Sequence, residues 1–166
     1  MDAIELLTGQ HRALEGLLGR VLDAPDDAGK RSAFARVADE LTVHISSEEQ
    51  VFYPAVRAGR TEDILLESLE EHLSLKRLLA DLLLLDPTQK TFEPKFKVLA
   101  EQAEHHHEEE EEHLFPKVRM MLDANRLQEI GGEMQAMQQN LHRDGAPREA
   151  VAEQTDAAAP LRKGAA

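Results

Sequence analysis

Two stretches of the sequence place a glutamate four residues after a histidine and end in an aromatic residue followed by proline. The first, HISSEEQVFYP, contains His44 and Glu48, and the second, HHEEEEEHLFP, contains His106 and Glu110. Residues four apart lie on the same face of a helix, so each pair can present an imidazole and a carboxylate side by side. These ligand types bind iron, manganese and zinc. The spacing therefore predicts metal-binding chemistry.

The two motifs belong to an internal repeat of about 62 residues. A shift of 61 also aligns His11 and the leucines that follow it with His72 and its leucines. A repeat of this length indicates two copies of one supersecondary unit. We therefore expect two helical hairpins, each contributing one histidine from its first helix and a His-x-x-x-Glu pair from its second.

The histidines and glutamates of both motifs lie in register with apolar residues. Steps of three and four connect Phe34, Val37 and Leu41 to His44 and Glu48. Such steps keep side chains on one helix face, which places the pair toward the centre of a bundle. An isolated carboxylate there would cost several kcal/mol or take up a proton. Two inward carboxylates among four inward imidazoles therefore predict a pair of bound cations.

The same register selects among the crowded residues of the second motif. Leu99, Ala103 and Pro116 favour His106 and Glu110 as the inward pair, and we expect the neighbours to face solvent, namely His105, His107, Glu109 and Glu111. Lesser candidates for contacts behind the ligands are Glu49, Tyr53 and His113. Two Glu-x-x-His matches, Glu104/His107 and Glu110/His113, have no counterpart in the first motif. Haem with two axial histidines would leave both glutamates unexplained.

The elements that must position these residues are predicted to be helices. Short connections between long helices indicate an all-α, antiparallel up-down-up-down four-helix bundle with a short fifth helix. We expect the bundle over residues 1–122, the additional helix over 123–142, and a flexible, Ala-rich tail over 143–166. The predicted helices span residues 2–23, 30–57, 62–85, 92–122 and 126–141.

Composition limits the classes of function. The 166 residues carry a formal net charge of −13, which disfavours nucleic acid or an anionic membrane as partner. The absence of cysteine excludes disulfides, thiolate zinc sites and iron–sulfur clusters. The start of the chain does not resemble a signal peptide, and no apolar stretch approaches the length of a membrane span. We therefore expect a cytoplasmic protein.

These residues resemble the hemerythrin-like domains, also called HHE cation-binding domains, over about residues 1–122. The resemblance implies a four-helix bundle with a non-haem centre of two iron ions, bridged by carboxylates and by an oxo or hydroxo group. Glu48 and Glu110 would be the bridging carboxylates. Zinc or manganese would be accepted by the same ligands. Carried over by position, the metal ligands would be His11, His44, Glu48, His72, His106 and Glu110.

The sequence departs from the oxygen-carrying members of that family in the third helix. Those members have two histidines one turn apart there, whereas His72 is flanked at that spacing by Ser68 and Lys76. A missing imidazole leaves a coordination position for water, substrate or another side chain. An inward Lys76 would add positive charge that opposes a second cation. The departure weakens the case for reversible oxygen transport.

Three functions remain open at this point. The leading expectation is a di-iron protein that binds or reacts with oxygen, nitric oxide or hydrogen peroxide, either as a sensor or as a weak redox enzyme. The second is a metal store or metal-responsive interaction module with a protein partner that the sequence does not identify. The third is a bundle without a physiological metal, in which the inward histidines and glutamates pair with one another.

Overall fold

The computed structural model describes residues 1–164, and this part of the chain is helical without strands. The five long helices are α1 (Ala3–Val21), α2 (Asp27–Ser47), α3 (Glu62–Leu83), α4 (Phe92–Glu109) and α5 (Ala124–Arg143). The helix α2 continues through a π-helical segment, Glu48–Phe52, into Tyr53–Ala55, and α4 continues through a second one, Glu110–Leu114, into Phe115–Met121. A 3₁₀ helix, Pro147–Gln154, follows α5.

Aspartates fix the starts of three of these helices. Asp2, Asp26 and Asp123 precede α1, α2 and α5, and each side chain accepts a hydrogen bond from a first-turn backbone N–H. Such caps satisfy N–H groups that have no partner within the helix. At Asp2 the bond is reciprocal, because the Glu5 side chain accepts from the Asp2 N–H. These caps begin α2 and α5 earlier than the sequence predicts.

Helices α1 to α4 form the antiparallel bundle that the sequence predicts, and its interior contains two apolar clusters. The first includes Leu14, Leu41 and Leu99, and the second includes Leu7, Phe52 and Leu69. Along α1, His11 falls between Leu7 of the second cluster and Leu14 of the first. The predicted metal ligands therefore lie between two packed layers that exclude water.

The two π-helical segments begin at Glu48 and Glu110, which occupy equivalent places in the repeat. A π turn accommodates one more residue than an α turn and is often found at functional sites. The repeat predicted from the sequence therefore extends to a matching backbone irregularity, although the sequence predicted uninterrupted helices here.

Helix α5 packs against α1 and α2 and approaches the chain's N-terminus closely. A Cβ atom added at Gly131 would lie 2.7 Å from the Met1 carbonyl oxygen. That distance is shorter than any normal carbon–oxygen contact, so α5 can sit this close only with glycine at this position.

Residues 144–164, which belong to the predicted flexible tail, lie against the bundle. After α5, Gly145 adopts a positive φ of 139° and the chain turns back along the bundle. The Val151 side chain is buried in the first apolar cluster, while Arg77 donates to the carbonyl oxygens of Thr155 and Asp156. The segment thus has a buried valine and backbone contacts with the bundle although its sequence lacks apolar periodicity. The remaining predicted tail residues, 165 and 166, lie outside the described residues.

No helix within residues 1–164 has the length and apolar composition needed to cross a membrane.

Candidate metal centre

The structure brings all six predicted ligands into one buried pocket between the apolar clusters. Helix α1 supplies His11, α2 supplies His44 and leads into Glu48, α3 supplies His72, and α4 supplies His106 and leads into Glu110. Each of the six residues is at most 2% exposed. The helices therefore converge on a set of nitrogen and carboxylate donors shielded from solvent.

The donors divide into two groups, each compact enough to hold one ion. The first group, which we call position A, comprises His11, His44 and His107, with Glu48 and Glu110 beside His11 and His44. The second, position B, comprises His72, His106 and Glu48. Within each compact set the candidate ligand atoms lie within 4.8 Å of one another. Five imidazoles and two carboxylates thus surround two adjacent positions.

The two glutamates lie between these positions. Glu48 Oε1 is 3.1 Å from His44 Nε2 at position A and 3.4 Å from His72 Nε2 at position B. Glu110 Oε1 is 3.3 Å from His11 Nε2 and 3.5 Å from His106 Nε2. Each carboxylate therefore faces imidazoles of both positions, as a bridging ligand would.

Four of the five histidines are held from behind through Nδ1. A side-chain acceptor lies 2.9 Å from Nδ1 of His11, His44 and His72, and 3.0 Å from Nδ1 of His106. An acceptor at Nδ1 keeps the proton there and leaves the Nε2 lone pair free, which is the usual arrangement for metal-ligating histidines. The acceptors are Glu111 for His11, Gln10 for His44, Glu49 for His72 and Glu71 for His106.

Several atoms that face the pocket have no hydrogen-bond partner among the described residues. They are Nε2 of His11 and His44, both carboxylate oxygens of Glu48, Oε1 of Glu110 and both ring nitrogens of His107. Buried polar atoms without a partner are rare because each costs free energy. A concentration of them on five convergent side chains fits a bound cation.

Electrostatics within the pocket supports the same interpretation. Burial and the adjacent charge of Glu48 raise the pKa of the Glu110 carboxyl to about 7. Burial alone would raise the pKa of Glu48 as well, but the charge of the adjacent His44 and close contacts with Glu110 and His72 hold it well below its usual value. Two carboxylates in one dry pocket resist being ionised together, and a cation between them would remove that resistance.

His107 was predicted to face solvent, and this prediction is wrong: its side chain is 1% exposed and its ring stacks on His11 at 4.0 Å between centroids. Adjacent helical residues diverge by about 100°, so one seam accommodates only one of them. A pocket for two ions is wide enough for both, with His106 at position B and His107 at position A. The repeat contained a signal for this, because His107 aligns with the buried Ile45.

The other predicted neighbours separate into two groups. His105 is exposed, and His113 is 57% exposed with its Nε2 3.8 Å from carboxylates of Glu109 and Glu112, so neither belongs to the site. Glu49 and Glu111, by contrast, are the Nδ1 acceptors of His72 and His11. The Tyr53 hydroxyl donates to Glu110 Oε2 over 2.8 Å and lies 3.2 Å from His72 Nε2.

Lys76 is buried but does not oppose a cation in the way the sequence suggested. Its ammonium group donates to Glu49 Oε1 over 2.8 Å, and the other oxygen of Glu49 accepts from His72. Lys76 thus neutralises the carboxylate behind His72. The place of the second α3 histidine is taken by a buried ion pair, while the fifth imidazole comes from α4.

Comparison with known proteins gives matches to the fold, the sequence and a family model. A solved hemerythrin HHE cation binding domain-containing protein from Mycobacterium kansasii shares the fold, with a TM-score of 0.75 at 22% identity over 93% of this chain and 91% of that one. A protein named DNA nickase from a Nostoc species is 24% identical over 136 residues. This chain spans 39% of the length of that relative, and 82% of this chain is matched. The model of the hemerythrin HHE cation binding domain matches residues 2–118, and the chain belongs to that family.

Proposed function

We propose that this protein holds two iron ions, one at position A and one at position B, and that the pair binds or reacts with oxygen, nitric oxide or hydrogen peroxide. His11, His44 and His107 would hold one ion, and His72 and His106 the other. Glu48 and Glu110 would bridge them. Nitrogen and carboxylate donors without thiolates suit iron, and also manganese and zinc.

The observation that carries this proposal is the contrast between the two ends of the histidine rings. Four Nδ1 atoms have acceptors, whereas the inward Nε2 atoms of His11 and His44 and both oxygens of Glu48 have no hydrogen-bond partner in residues 1–164. Some inward groups do pair, since His72 Nε2 lies 3.0 Å from His106 Nε2 and Tyr53 donates to Glu110, but these four atoms are left without a partner. The ligand cage is held in place from outside with these donor atoms directed inward.

Iron ions, when bound, would supply redox activity and open coordination positions for a diatomic or peroxide ligand. The protein supplies the surroundings. Tyr53 is fully buried, and burial together with the nearby Glu110 and Glu48 raises the pKa of its hydroxyl well above 10. It therefore remains a neutral hydrogen-bond donor at the edge of position B. Phe115 stacks on His11 with centroids 5.8 Å apart and helps to exclude water from position A.

The decisive experiment is anaerobic loading with iron(II), followed by counting of the bound iron and absorption spectra before and after oxygen is admitted. We expect two irons per chain and a new charge-transfer band. Loss of the band on deoxygenation would assign oxygen binding, and persistence of the band would assign redox chemistry. His44→Ala should abolish the band and any peroxide turnover, whereas the exposed His105→Ala should change neither. One iron or none in the wild-type protein would refute the two-iron proposal.

The alternative is a metal store or a metal-responsive module. Its signature would be a large rise in melting temperature on metal binding with no change of spectrum on exposure to oxygen, nitric oxide or peroxide.

We further propose that the chain does not bind nucleic acid by itself, despite the name of its Nostoc relative, because its net charge of −13 would repel phosphate. Retardation of DNA by the isolated chain at physiological salt would contradict this.

A further inference from the structure

Helix α5 lies outside the four-helix bundle, yet it touches the hydrogen-bond network behind one metal ligand. The Gln138 side chain is 8% exposed, and its amide pairs with that of Gln10 on α1. Gln10 Nε2 donates to Gln138 Oε1 over 2.8 Å, and Gln138 Nε2 donates to Gln10 Oε1 over 3.2 Å. Gln10 Oε1 also lies 2.9 Å from His44 Nδ1.

The donor and acceptor of each hydrogen bond in this network can be assigned by starting from Ser47. The backbone carbonyl of His44 can only accept, so the Ser47 hydroxyl must donate to it, over 2.9 Å. Ser47 Oγ must then accept from the Gln138 amide nitrogen, which lies 2.9 Å away. That orients Gln138 with Oε1 toward the nitrogen of Gln10, and leaves Gln10 Oε1 as the acceptor for the Nδ1–H of His44.

This series of hydrogen bonds determines which ring nitrogen of His44 carries the proton. With the proton on Nδ1, the Nε2 lone pair faces position A, as a metal ligand requires. If the Gln10 amide turned over, its NH₂ group would meet Nδ1–H, and His44 could relieve that conflict only by shifting its proton to Nε2, where it would block the metal. Gln10 alone permits either orientation; Gln138 is the residue that excludes one.

The surroundings make this constraint necessary. A cavity of about 390 Å³ between α1, α2 and α5 borders Gln10, His44 and Gln138. Without the second amide, water in the cavity could satisfy Gln10 in either orientation. The other outer acceptors, Glu49, Glu71 and Glu111, are carboxylates that can only accept, so their histidines need no such control.

We propose that Gln138 is a positioning residue for the metal site: through Gln10 it holds His44 in the tautomer that binds metal, which makes α5 part of the site's function. The inference rests on the proposed two-metal site, because it concerns a ligand of position A. Removing such a contact behind a ligand typically lowers metal affinity about 10–100-fold.

The test compares Gln138→Met with Gln139→Met in the 166-residue chain. Methionine preserves the length and packing of glutamine but cannot donate or accept these bonds, and Gln139 is an exposed neighbour on the same helix. Zinc binding is measured by competition with a chelator. We expect two zinc ions per wild-type chain, weakening of one of them by about tenfold in Gln138→Met, and no change in Gln139→Met.

Two further readouts separate positioning from folding. Long-range ¹⁵N–¹H correlation spectra of the histidine rings should show His44 protonated on Nδ1 in the wild type and a mixture of tautomers in Gln138→Met. Gln10→Glu keeps an acceptor that cannot turn over, so Gln10→Glu combined with Gln138→Met should restore wild-type zinc affinity.

The outcomes test the two-metal proposal and the role of Gln138 separately. If the wild-type chain fails to bind two zinc ions, the two-metal proposal fails first. If the wild type binds two but Gln138→Met matches Gln139→Met in affinity and tautomer, or the Gln10→Glu combination fails to restore affinity in a folded protein, the role assigned to Gln138 is wrong.

Discussion

At the scale of single residues, the acceptors behind the histidines differ in charge between the two metal positions. Both histidines of position B are backed by carboxylates, Glu49 and Glu71. At position A, Glu111 backs His11, but His44 is backed by the neutral amide of Gln10. A carboxylate acceptor makes an imidazole a stronger electron donor than an amide does. The two ions would therefore experience unequal ligand fields although the hairpins that hold them are repeats.

His107 provides the sharpest test of the ligand set, because the sequence assigned it and His105 the same outward role. We expect His107→Ala to weaken one of two bound zinc ions by more than the ~10–100-fold that loss of a contact behind a ligand causes. His105→Ala, which removes an exposed imidazole two residues away, should leave both zinc affinities unchanged. Chelator competition measures each, and equal behaviour of the two variants would remove His107 from the site.

Asp2 gives a prediction about pH that does not involve the metal site. Partial burial opposes ionisation, but hydrogen bonds from the Glu5 N–H and from Arg119 outweigh it and lower the pKa of Asp2. A pKa that is lower in the folded state stabilises the folded protein at pH values above 3.8, the pKa of Asp2 in the unfolded chain. That stabilisation is lost as the pH falls through the folded-state pKa. Asp2→Asn retains the capping oxygen but removes the charge and the second oxygen, which accepts from Arg119.

We therefore expect Asp2→Asn to lower the free energy of unfolding by about 0.5 kcal/mol near neutral pH. The difference from wild type should close as the solution is acidified below the unfolded pKa. Urea titrations of metal-free protein over a series of pH values provide the measurement. A difference that stays constant into acid would mean that the Asp2 charge contributes nothing.

At the scale of elements, the π-helical segments explain how α2 and α4 serve both the site and the core. Each begins at a glutamate of the pocket and ends one residue before an aromatic–proline pair. The wider turn rotates the residues that follow, so Phe52, Tyr53, Leu114 and Phe115 return to the second apolar cluster. Proline in the first turn beyond each segment lacks the N–H that a regular helix would need there.

The approach of α5 to the N-terminus can be tested with two adjacent glycines. Alanine within a helix normally stabilises by about 0.5–1 kcal/mol relative to glycine. Gly132→Ala should show that gain, because nothing lies within 4 Å of a Cβ atom at Gly132. Gly131→Ala should instead destabilise by about 1–3 kcal/mol, because its Cβ would meet the Met1 carbonyl at 2.7 Å. Thermal unfolding of both variants decides, and two stabilising alanines would show that α5 does not pack this closely.

At the scale of the whole molecule, the segment after α5 returns along α2 and α3 and closes both apolar clusters. Val151 enters the first cluster, Ala158, Ala159 and Leu161 pack against the second, and Arg148 donates to Asp39. The bundle is thus completed by residues far from it in sequence.

A matched pair of substitutions distinguishes this packed segment from the flexible tail that the sequence predicts. Val151→Asp places a charge in the core and should cost roughly 3 kcal/mol or more. Ala152→Asp introduces the same side chain at an exposed neighbouring position and should change stability by less than about 0.5 kcal/mol. Chemical denaturation of both variants is the measurement. Wild-type stability in Val151→Asp would favour the flexible tail.

The sequence by itself determined the helical class, the repeat and six residues that converge in the pocket. Periodicity and spacing are local properties of a chain, and a His-x-x-x-Glu pair on an apolar seam faces inward in almost any bundle. Only the tertiary structure decided the roles of His107, Gln138 and Val151. The position of His107 depends on the width of a pocket formed by four helices. Gln138 depends on partners 91 or more residues away, and Val151 on a cluster to which all four bundle helices contribute. Such contacts leave no local pattern, because the free energy that selects them comes from burial against distant elements.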